Sequence, residues 1–324
     1  MLFHENLEEI IFNRHEIFSV DGLVVLSGYV GPNPAKRLGE LPFNTKLIYG
    51  MYGSDGIDTK LHSSLLEIHN ELENVEILYS TTPVHSKCYI WKHGNEIVHA
   101  LVGSANFSTN GLCTPFREVL AETSHDTFLP LNNYIDKIID NSITCDTATA
   151  RGQRIREHAD VQAVSSSLVS NVCQLVLTDG GQNVPLRSGL NWAHANAHVS
   201  PNDANIPIRK LNILQYPHLF PPKQVSPRFP TGRSQRNNDF IEIIWDDGTI
   251  MKGLLEGTQN IDGIKYPKQI SSSPSKSILG KYIRKRLRVP SNGIIDIRHL
   301  RRYGRATIDV KLMNEGVYYF DFSV

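Results

Sequence analysis

Residues 84–119, in the first half of the chain, read VHSKCYIWKHGNEIVHALVGSANFSTNGLCTPFREV. Residues 84–91 combine β-branched and aromatic side chains with polar alternation, which predicts a strand. Because side chains two apart on a strand share a face, His85 and Lys87 are expected to project together. The sequence therefore predicts one strand face that carries both an imidazole and an ammonium group.

Two further strands are expected to bring polar groups to the same place. The apolar run 97–102 predicts a second strand that ends on Gly103 and Ser104, with Asn106 two residues further on. Gly103 lacks a side chain, so the backbone there could come close to a ligand. A third strand, predicted to start around Glu118, can add a carboxylate.

These residue types suit phosphoryl transfer. A neutral imidazole is a nucleophile or a base near pH 7. An ammonium group and an amide can hold the oxygens of a phosphodiester as charge develops on them. A carboxylate on the far ring nitrogen would orient the imidazole and support its positive form. The candidate catalytic residues are His85, Lys87, Ser104, Asn106 and Glu118.

The order His-x-Lys followed by Gly-Ser-x-Asn resembles the phospholipase D superfamily. The usual motif of that superfamily has an Asp after the Lys, and Lys92 stands at that place here. With Glu118 downstream, the departure is similar to the phospholipase D-like restriction endonucleases of the BfiI and NgoFVII types. In that group a Glu on a later strand takes the orienting role, which the resemblance assigns to Glu118.

The first half also has the element pattern of an α/β protein. Apolar spacing predicts helices at 7–18, 61–72 and 129–139, and short apolar runs predict strands at 23–26, 46–49 and 75–79. Alternating strands and helices, followed by consecutive strands, indicate an α/β sandwich around a mixed sheet. We assign residues 1–143 to this nuclease-like domain.

Charge separates the two halves of the chain. The formal net charge is zero, but residues 1–170 carry −9 and residues 171–324 carry +9. This asymmetry predicts an acidic module joined to a basic one that binds a polyanion, with an ordinary basic surface as the alternative. The acidic N-terminus lacks the basic start of a signal peptide, no apolar run is long enough to span a membrane, and the four cysteines form no C-x-x-C pair. A cytoplasmic location is therefore expected.

The second half is predicted to be mainly β. Residues 144–170 are rich in Ala, Thr and Ser and are interpreted as a connector. After them, strands are predicted at 172–177, 240–245, 249–254, 294–297, 307–312 and 317–322, with one basic helix at 278–287. Asp246-Asp247-Gly248 is a hairpin signal between two of the strands. Residues 171–324 are assigned to one recognition domain.

This pattern resembles the B3-like DNA-recognition domain, a small open β-barrel with two arms that enter the major groove. The arms would be residues 184–197 and 257–273. Side chains expected to contact DNA are Arg187, Asn191, Trp192, Lys265, Tyr266, Lys268 and Gln269. Arg and Lys can donate to guanine or phosphate, whereas Asn and Gln can read adenine. For each residue taken singly, a solvated loop side chain is the alternative.

A basic cluster on the predicted helix is a further candidate for DNA binding. Its members have helical spacing and could contact backbone phosphates or form an ordinary solvated face: Lys281, Arg284, Lys285, Arg286 and Arg288.

Taken together, the two resemblances imply a type II restriction endonuclease that cleaves double-stranded DNA at a short, GC-rich site. His85 would form a phosphohistidine without a divalent metal. Of the 13 His residues, only His85 is followed two residues later by Lys, so a homodimer is expected to complete the site. A monomer that uses His99 or His125 as the acid is the alternative. The resemblance also implies a companion DNA methyltransferase and leaves room for a separate ATPase partner.

Three other functions stay open at the level of sequence. One is a phospholipase D-type phosphodiesterase acting on another substrate, such as a lipid. A second is a DNA-binding regulator whose nuclease half is inactive. The third is a metal-dependent nuclease that would use Asp296 with Asp309 and Lys311.

Overall fold

A computed structural model of the chain describes residues 1–150, 171–180, 182–223 and 238–324. These residues divide into two compact units. The first consists of residues 1–150 and 313–317, and the second of the remaining described residues. Most of the predicted connector, residues 151–170, lies outside the described residues.

The first unit is built on a mixed sheet, as the sequence predicted, and the sheet has eight strands. Its strands are β1 (Leu2–Phe3), β2 (Gly22–Ser27), β3 (Asn44–Tyr49), β4 (Val75–Ser80), β5 (Lys87–His93), β6 (Glu96–Gly103), β7 (Leu120–Glu122) and β8 (Ser142–Thr144). Their order is β1-β7-β6-β5-β2-β3-β4-β8, in which β2, β3 and β4 run parallel and the other pairs are antiparallel. Buried β-branched and Leu residues on β2 and β3 place the core around the parallel strands.

Helices connect and cover these strands. They are α1 (Leu7–Asn13), α2 (Pro32–Arg37), α3 (Tyr52–Asp55), α4 (Thr59–Glu71), α5 (Thr109–Cys113) and α6 (Phe128–Asp140). The predicted helix at 61–72 starts earlier because the side chain of Asp58 accepts a hydrogen bond from the backbone of Lys60. The predicted helix at 7–18 stops sooner, at Asn13, and continues only as a 3₁₀ turn, Arg14–Glu16.

The second unit is a curled seven-stranded sheet. Its strands are β9 (Cys173–Val176), β10 (Ile206–Pro207), β11 (Asp239–Trp245), β12 (Ile250–Glu256), β15 (Gln269–Ser272), β16 (Thr307–Asn314) and β17 (Val317–Asp321), and a separate hairpin consists of β13 (Gln259–Ile261) and β14 (Ile264–Tyr266). The order is β10-β15-β12-β11-β17-β16-β9, and the edge strands β9 and β10 lie close together. The sheet is therefore a nearly closed barrel, which agrees with the predicted B3-like fold.

Its helices are α7 (Lys210–Gln215), α8 (Lys276–Leu287) and α9 (Ile297–Tyr303). The predicted hairpin turn is present, and Gly248 has the positive φ of 83° that favours glycine. The strand predicted at 294–297 is wrong. Asp296 instead caps α9, because its side chain accepts hydrogen bonds from the backbone N–H groups of Arg298 and His299. Within the described residues, no helix has both the length and the apolar character needed to cross a membrane.

Candidate functional site

The sheet of the first unit brings His85 and Lys87 together at the start of β5. Lys87 is the first residue of the strand and His85 precedes it by two. The Nζ atom of Lys87 lies 3.0 Å from Nδ1 and 3.2 Å from Nε2 of His85, and it donates to the His85 carbonyl oxygen at 2.6 Å. The lysine is buried, with 5% of its surface exposed, whereas His85 is exposed. The imidazole is therefore open to a substrate and has a cation directly beside it.

This environment favours the neutral form of the ring. Partial burial lowers the pKa of His85, the charge of Lys87 lowers it further, and the carboxylates of Glu315 and Asp55 act in the opposite direction. Burial also lowers the pKa of Lys87, against the opposing effect of Glu315 and Glu118. A neutral imidazole has a free lone pair near pH 7, which is the form that a nucleophile needs.

Asn106 is held from the end of β2. Its Oδ1 accepts a hydrogen bond from the backbone N–H of Tyr29 at 3.2 Å and is 3.5 Å from the Ser27 hydroxyl oxygen. Ser27 also accepts from the backbone N–H of Phe107 at 2.8 Å. With its carbonyl end fixed in this way, the Asn106 amide has its NH₂ group as the donor for a ligand, and that group now contacts Glu315 at 3.4 Å.

Ser104 and Glu118 form a second part of the site. The Ser104 hydroxyl accepts from the backbone N–H of Val119 at 3.1 Å and is hydrogen-bonded to the Glu118 carboxyl group. Burial raises the pKa of Glu118, and the bond to Ser104 opposes that rise. Glu118 lies two residues before β7 and not in the strand, so the loop places it. Its charge acts on Lys87, and its role in orienting His85 stays a prediction.

Two glycines keep this site compact. A Cβ atom on Gly28 would lie 3.0 Å from Cδ2 of His85 and 3.3 Å from Nζ of Lys87, so the absence of a side chain there leaves room for both groups. At Gly103 the space is filled by the backbone of Val119, where β6 meets β7. The close approach at Gly103 is therefore between strands, whereas the sequence suggested an approach to a ligand.

Two residues near His85 were missed at the level of sequence. Tyr29 lies edge-on to His85, with ring centroids 5.9 Å apart, and its hydroxyl donates to the carboxylate of Asp55 at 2.7 Å. The buried apolar strand β2 ends at Ser27 and is followed by Gly28 and Tyr29, a change from apolar to polar and glycine residues that could have marked this segment.

In the second unit, the predicted arms differ in how many side chains they leave accessible. Arg187, Lys265 and Lys268 are exposed. Lys265 lies on the β13–β14 hairpin, within the predicted second arm. These three cations are free of burial and suit contacts with phosphate or base edges.

Asn191 is positioned differently from the prediction. It is fully buried, its NH₂ group donates to the carbonyl oxygens of Pro185 at 3.0 Å and Ile295 at 2.7 Å, and its Oδ1 accepts from the backbone of Ile295 at 2.8 Å. The amide therefore anchors the first arm from within, because all of these partners are backbone groups inside the unit.

A buried carboxylate links the other predicted residues. Glu256 accepts from the Gln269 side-chain amide at 2.7 Å and from Lys276 at 2.6 Å, and the Lys276 ammonium lies 5.8 Å from the centre of the Trp192 ring. Tyr266 is partly buried against the hydrophobic core. The two arms thus share one polar network.

The basic cluster of α8 divides into internal and external members. Arg284 is 1% exposed and donates to four backbone carbonyl oxygens. Arg286 forms a two-pronged pair with Asp246, at 2.6 and 2.8 Å. Both are therefore structural, which corrects the expectation that the whole cluster faces phosphates. The exposed members remain candidates for contact with DNA phosphates: Lys281, Lys285 and Arg288.

The two carboxylates proposed for a metal-dependent nuclease, Asp296 and Asp309, already form ion pairs within the protein. Asp296 caps α9 and pairs with Arg298 at 2.6 Å, and Asp309 pairs with Arg305 at 2.7 Å. Over the described parts of the chain, no group of three His, Cys, Asp or Glu side chains has the arrangement of a metal site.

Comparison with solved structures gives matches that cover part of the chain. NucT from Helicobacter pylori has 18% sequence identity and a TM-score of 0.33, and the match covers 44% of this chain and 97% of that one. Nuc from Salmonella typhimurium, a phospholipase D family member, has 12% identity and a TM-score of 0.29, over 43% of this chain and 87% of the other. The comparison with curated proteins gave no match.

Two family descriptions match the chain in sequence. Residues 5–151 match the NgoFVII restriction endonuclease N-terminal PLD domain, and residues 166–314 match the NgoFVII C-terminal B3-like DNA-binding domain. Between them the matches cover both halves of the chain, in the order that the motifs indicated. The chain belongs to the NgoFVII family of restriction endonucleases, with a phospholipase D-like nuclease domain followed by a B3-like DNA-binding domain.

Proposed function

We propose that this protein is a type II restriction endonuclease that cleaves double-stranded DNA at a short, GC-rich site through a phosphohistidine on His85. The observation that carries the proposal is the exposed imidazole of His85 beside the buried ammonium group of Lys87, with Nζ 3.0 Å from the ring. The family membership supports DNA cleavage, and the GC-rich site comes from the resemblance to this group of enzymes.

The reaction would run in two steps. In the first, a lone pair on the His85 ring forms an N–P bond, the bond from phosphorus to the leaving sugar oxygen breaks, and a second imidazolium gives that oxygen a proton. In the second step, the imidazole that gave up its proton in the first step is neutral and acts as a base. It takes a proton from water while the water oxygen attacks phosphorus and the bond between His85 and phosphorus breaks. One water molecule is consumed, and a phosphate monoester and an alcohol are released.

The second imidazole would come from a second copy of the chain. Each chain has one His-x-Lys pair, so one chain supplies either the nucleophile or the acid of this reaction. A two-fold dimer would place His85 of each chain at a common cleft, because a two-fold interface is self-complementary. Such a dimer has one cleft for two DNA strands, so it would cut them in turn through a nicked intermediate.

Charge stabilisation by protein groups is the basis for proposing that the reaction needs no divalent metal. Lys87 supplies a fixed positive charge, and Asn106 supplies an N–H donor whose carbonyl end is held by the backbone of Tyr29. Donors fixed in advance stabilise the charge that develops on phosphate oxygens without reorganisation.

Sequence selection is assigned to the second unit. The exposed side chains of Arg187, Lys265 and Lys268 would contact base edges or phosphates, and the network around Glu256 would hold Gln269 and Trp192 in place beside them. A host that carries such an activity must protect its own sites. We therefore expect a companion DNA methyltransferase and a cytoplasmic location, and a separate ATPase partner stays a prediction.

Mixing wild-type chains with a His85→Ala variant tests the shared site. If both His85 residues of a dimer are needed, heterodimers are inactive and plasmid cleavage falls roughly as the square of the wild-type fraction. Sedimentation of the same mixtures checks that the chains form dimers. A linear fall, or an active monomer, would show that a single chain holds a complete site.

A further inference from the structure

Tyr29 contacts the two principal groups of the candidate active site and a buried carboxylate. Its ring lies edge-on to the His85 imidazole, with centroids 5.9 Å apart and an angle of 78° between the ring planes. Its backbone N–H donates to Oδ1 of Asn106 at 3.2 Å. Its hydroxyl donates to Oδ2 of Asp55 at 2.7 Å. One residue thus contacts the proposed nucleophile and holds the proposed oxyanion donor.

The backbone around Tyr29 is fixed as well. Its carbonyl oxygen accepts a hydrogen bond from the Ser27 hydroxyl at 2.6 Å, immediately after β2. The segment enters the site without a side chain at Gly28, which lets the His85 ring approach the backbone. Movement of Tyr29 would therefore disturb His85 and Asn106 at the same time.

Asp55 provides a negative charge behind this tyrosine. It is the last residue of α3 and is buried, with 9% of its surface exposed. Its other oxygen, Oδ1, accepts from the Ser54 hydroxyl at 2.8 Å. Burying a carboxylate is costly unless it is hydrogen-bonded, and two hydroxyl donors meet that requirement. A phenylalanine at position 29 would pack equally well against His85 but could not donate to Asp55.

We propose that Tyr29 and Asp55 are positioning residues for the cleavage reaction. Tyr29 fixes the plane of the His85 ring and the orientation of the Asn106 amide. Asp55 holds the Tyr29 hydroxyl and stabilises the positive charge that the ring acquires when the N–P bond forms. This inference rests on the proposed function of His85.

The charges that act on His85 predict the direction in which removal of the Asp55 charge moves the pKa of the ring. Lys87 acts on the ring as a positive charge, and Asp55 and Glu315 act as negative charges. Removal of the Asp55 charge therefore leaves Lys87 less opposed, which lowers the pKa of His85 and makes the imidazolium form harder to reach. Attack needs the neutral ring, so the acid side of the activity profile would move to lower pH. The maximum rate would also fall, because the ring is positively charged in the phosphohistidine and removal of the Asp55 carboxylate takes away a negative charge that stabilises it.

The two variants separate position from charge. Tyr29→Phe keeps the ring and the backbone N–H and removes only the hydroxyl bonded to Asp55. Asp55→Asn keeps an oxygen that can accept from Tyr29 and removes the charge. Tyr52→Phe is a matched control, because Tyr52 also lies on α3 and its hydroxyl donates to a backbone carbonyl, that of Thr149, at 3.0 Å.

The test is steady-state cleavage of supercoiled plasmid by the chain with both units, over a range of substrate concentrations and from about pH 5 to about pH 9. We expect Tyr29→Phe and Asp55→Asn each to lower the maximum rate about tenfold with little change in KM. Only Asp55→Asn should shift the acid side of the profile downward, and Tyr52→Phe should match the wild type. Thermal melts identify a variant that fails to fold, and Tyr29→Phe, which loses a single oxygen, still decides the positioning role.

The outcomes are distinct. If His85→Ala is inactive while Tyr29→Phe and Asp55→Asn match the wild type in rate and pH profile, the positioning role is overturned and the proposed function stands. If His85→Ala still cleaves at the wild-type rate, the proposed function fails and this inference fails with it.

Discussion

Adding one methyl group at Gly28 should slow cleavage without unfolding the protein. The backbone of Gly28 is not in the left-handed region, so alanine can adopt its conformation. The new Cβ would lie 3.0 Å from Cδ2 of His85 and 3.3 Å from Nζ of Lys87. Carbon atoms in favourable contact are about 3.5–4.0 Å apart, so the imidazole must move by roughly half an ångström.

The size of the effect follows from that displacement. A misplacement of about 1 Å in a reacting group can cost about a hundredfold in rate, so half of that distance predicts a loss of about tenfold. The loss should be in kcat, because His85 would act in the chemical step. DNA affinity should change little, since the exposed cations of the second unit are not involved.

The assay compares Gly28→Ala with Gly22→Ala. Gly22 lies on the same strand, β2, and a Cβ there would meet only the backbone oxygen of Asn44, at an ordinary distance of 3.7 Å. Steady-state plasmid cleavage gives kcat, gel-shift titration gives affinity, and thermal melts check folding. Wild-type kcat in a folded Gly28→Ala variant would refute the placement of His85 against the β2 end. Equal losses in both variants would point to damage to the strand instead.

Four further outcomes are expected. Cleavage should survive excess EDTA, since Lys87 and Asn106 would supply the charge stabilisation, and loss on chelation with recovery on adding magnesium would contradict this. The lowered pKa of His85 predicts that kcat/KM, measured in a pH series, falls with acidification only below the ordinary His value of about 6.5. If the midpoint of that fall lies above this value, the result counts against a neutral His85 as the nucleophile. Lys268→Ala should weaken DNA binding and, if Lys268 touches a base, reduce the preference among DNA sequences in a competition assay. If both the affinity and its dependence on salt concentration are unchanged, Lys268 is not part of the DNA interface. Asp246→Ala should cost about 3–5 kcal/mol in the free energy of unfolding by leaving the largely buried Arg286 without its carboxylate, whereas Asp247→Ala on the same turn should cost about 1 kcal/mol in the same denaturant titration.

Local signals in the sequence were enough to predict much of the fold. The strands around His85 and Ser104 are short, apolar and bounded by turn residues, so their type could be read without knowledge of their neighbours. The turn at Gly248 needs a positive φ, which glycine supplies at no steric cost. The predicted strand 84–91 begins only at Lys87, so strand alternation by itself does not account for the contact between His85 and Lys87.

Local signals also misled where two of them competed. Ile294, Ile295 and Ile297 favour a strand by β-propensity, yet Asp296 between them caps a helix with its side chain. The cap satisfies backbone N–H groups that would otherwise lack partners, and Leu300 on α9 is buried. Propensity is a weak preference, so the capping and packing of α9 prevailed.

Burial and long-range proximity were decided only by the tertiary structure. The sequence cannot distinguish the buried Asn191, Arg284 and Arg286 from exposed polar residues on the same segments, because their backbone and carboxylate partners come from distant parts of the second unit. In the first unit, Tyr29 and Asp55 reach His85 only because β2 and β5 are neighbours in the sheet and α3 follows β3. The sequence by itself determined which side chains could do the chemistry. The three-dimensional packing decided which polar groups support that chemistry, because hydrogen bonds and burial depend on neighbours in space.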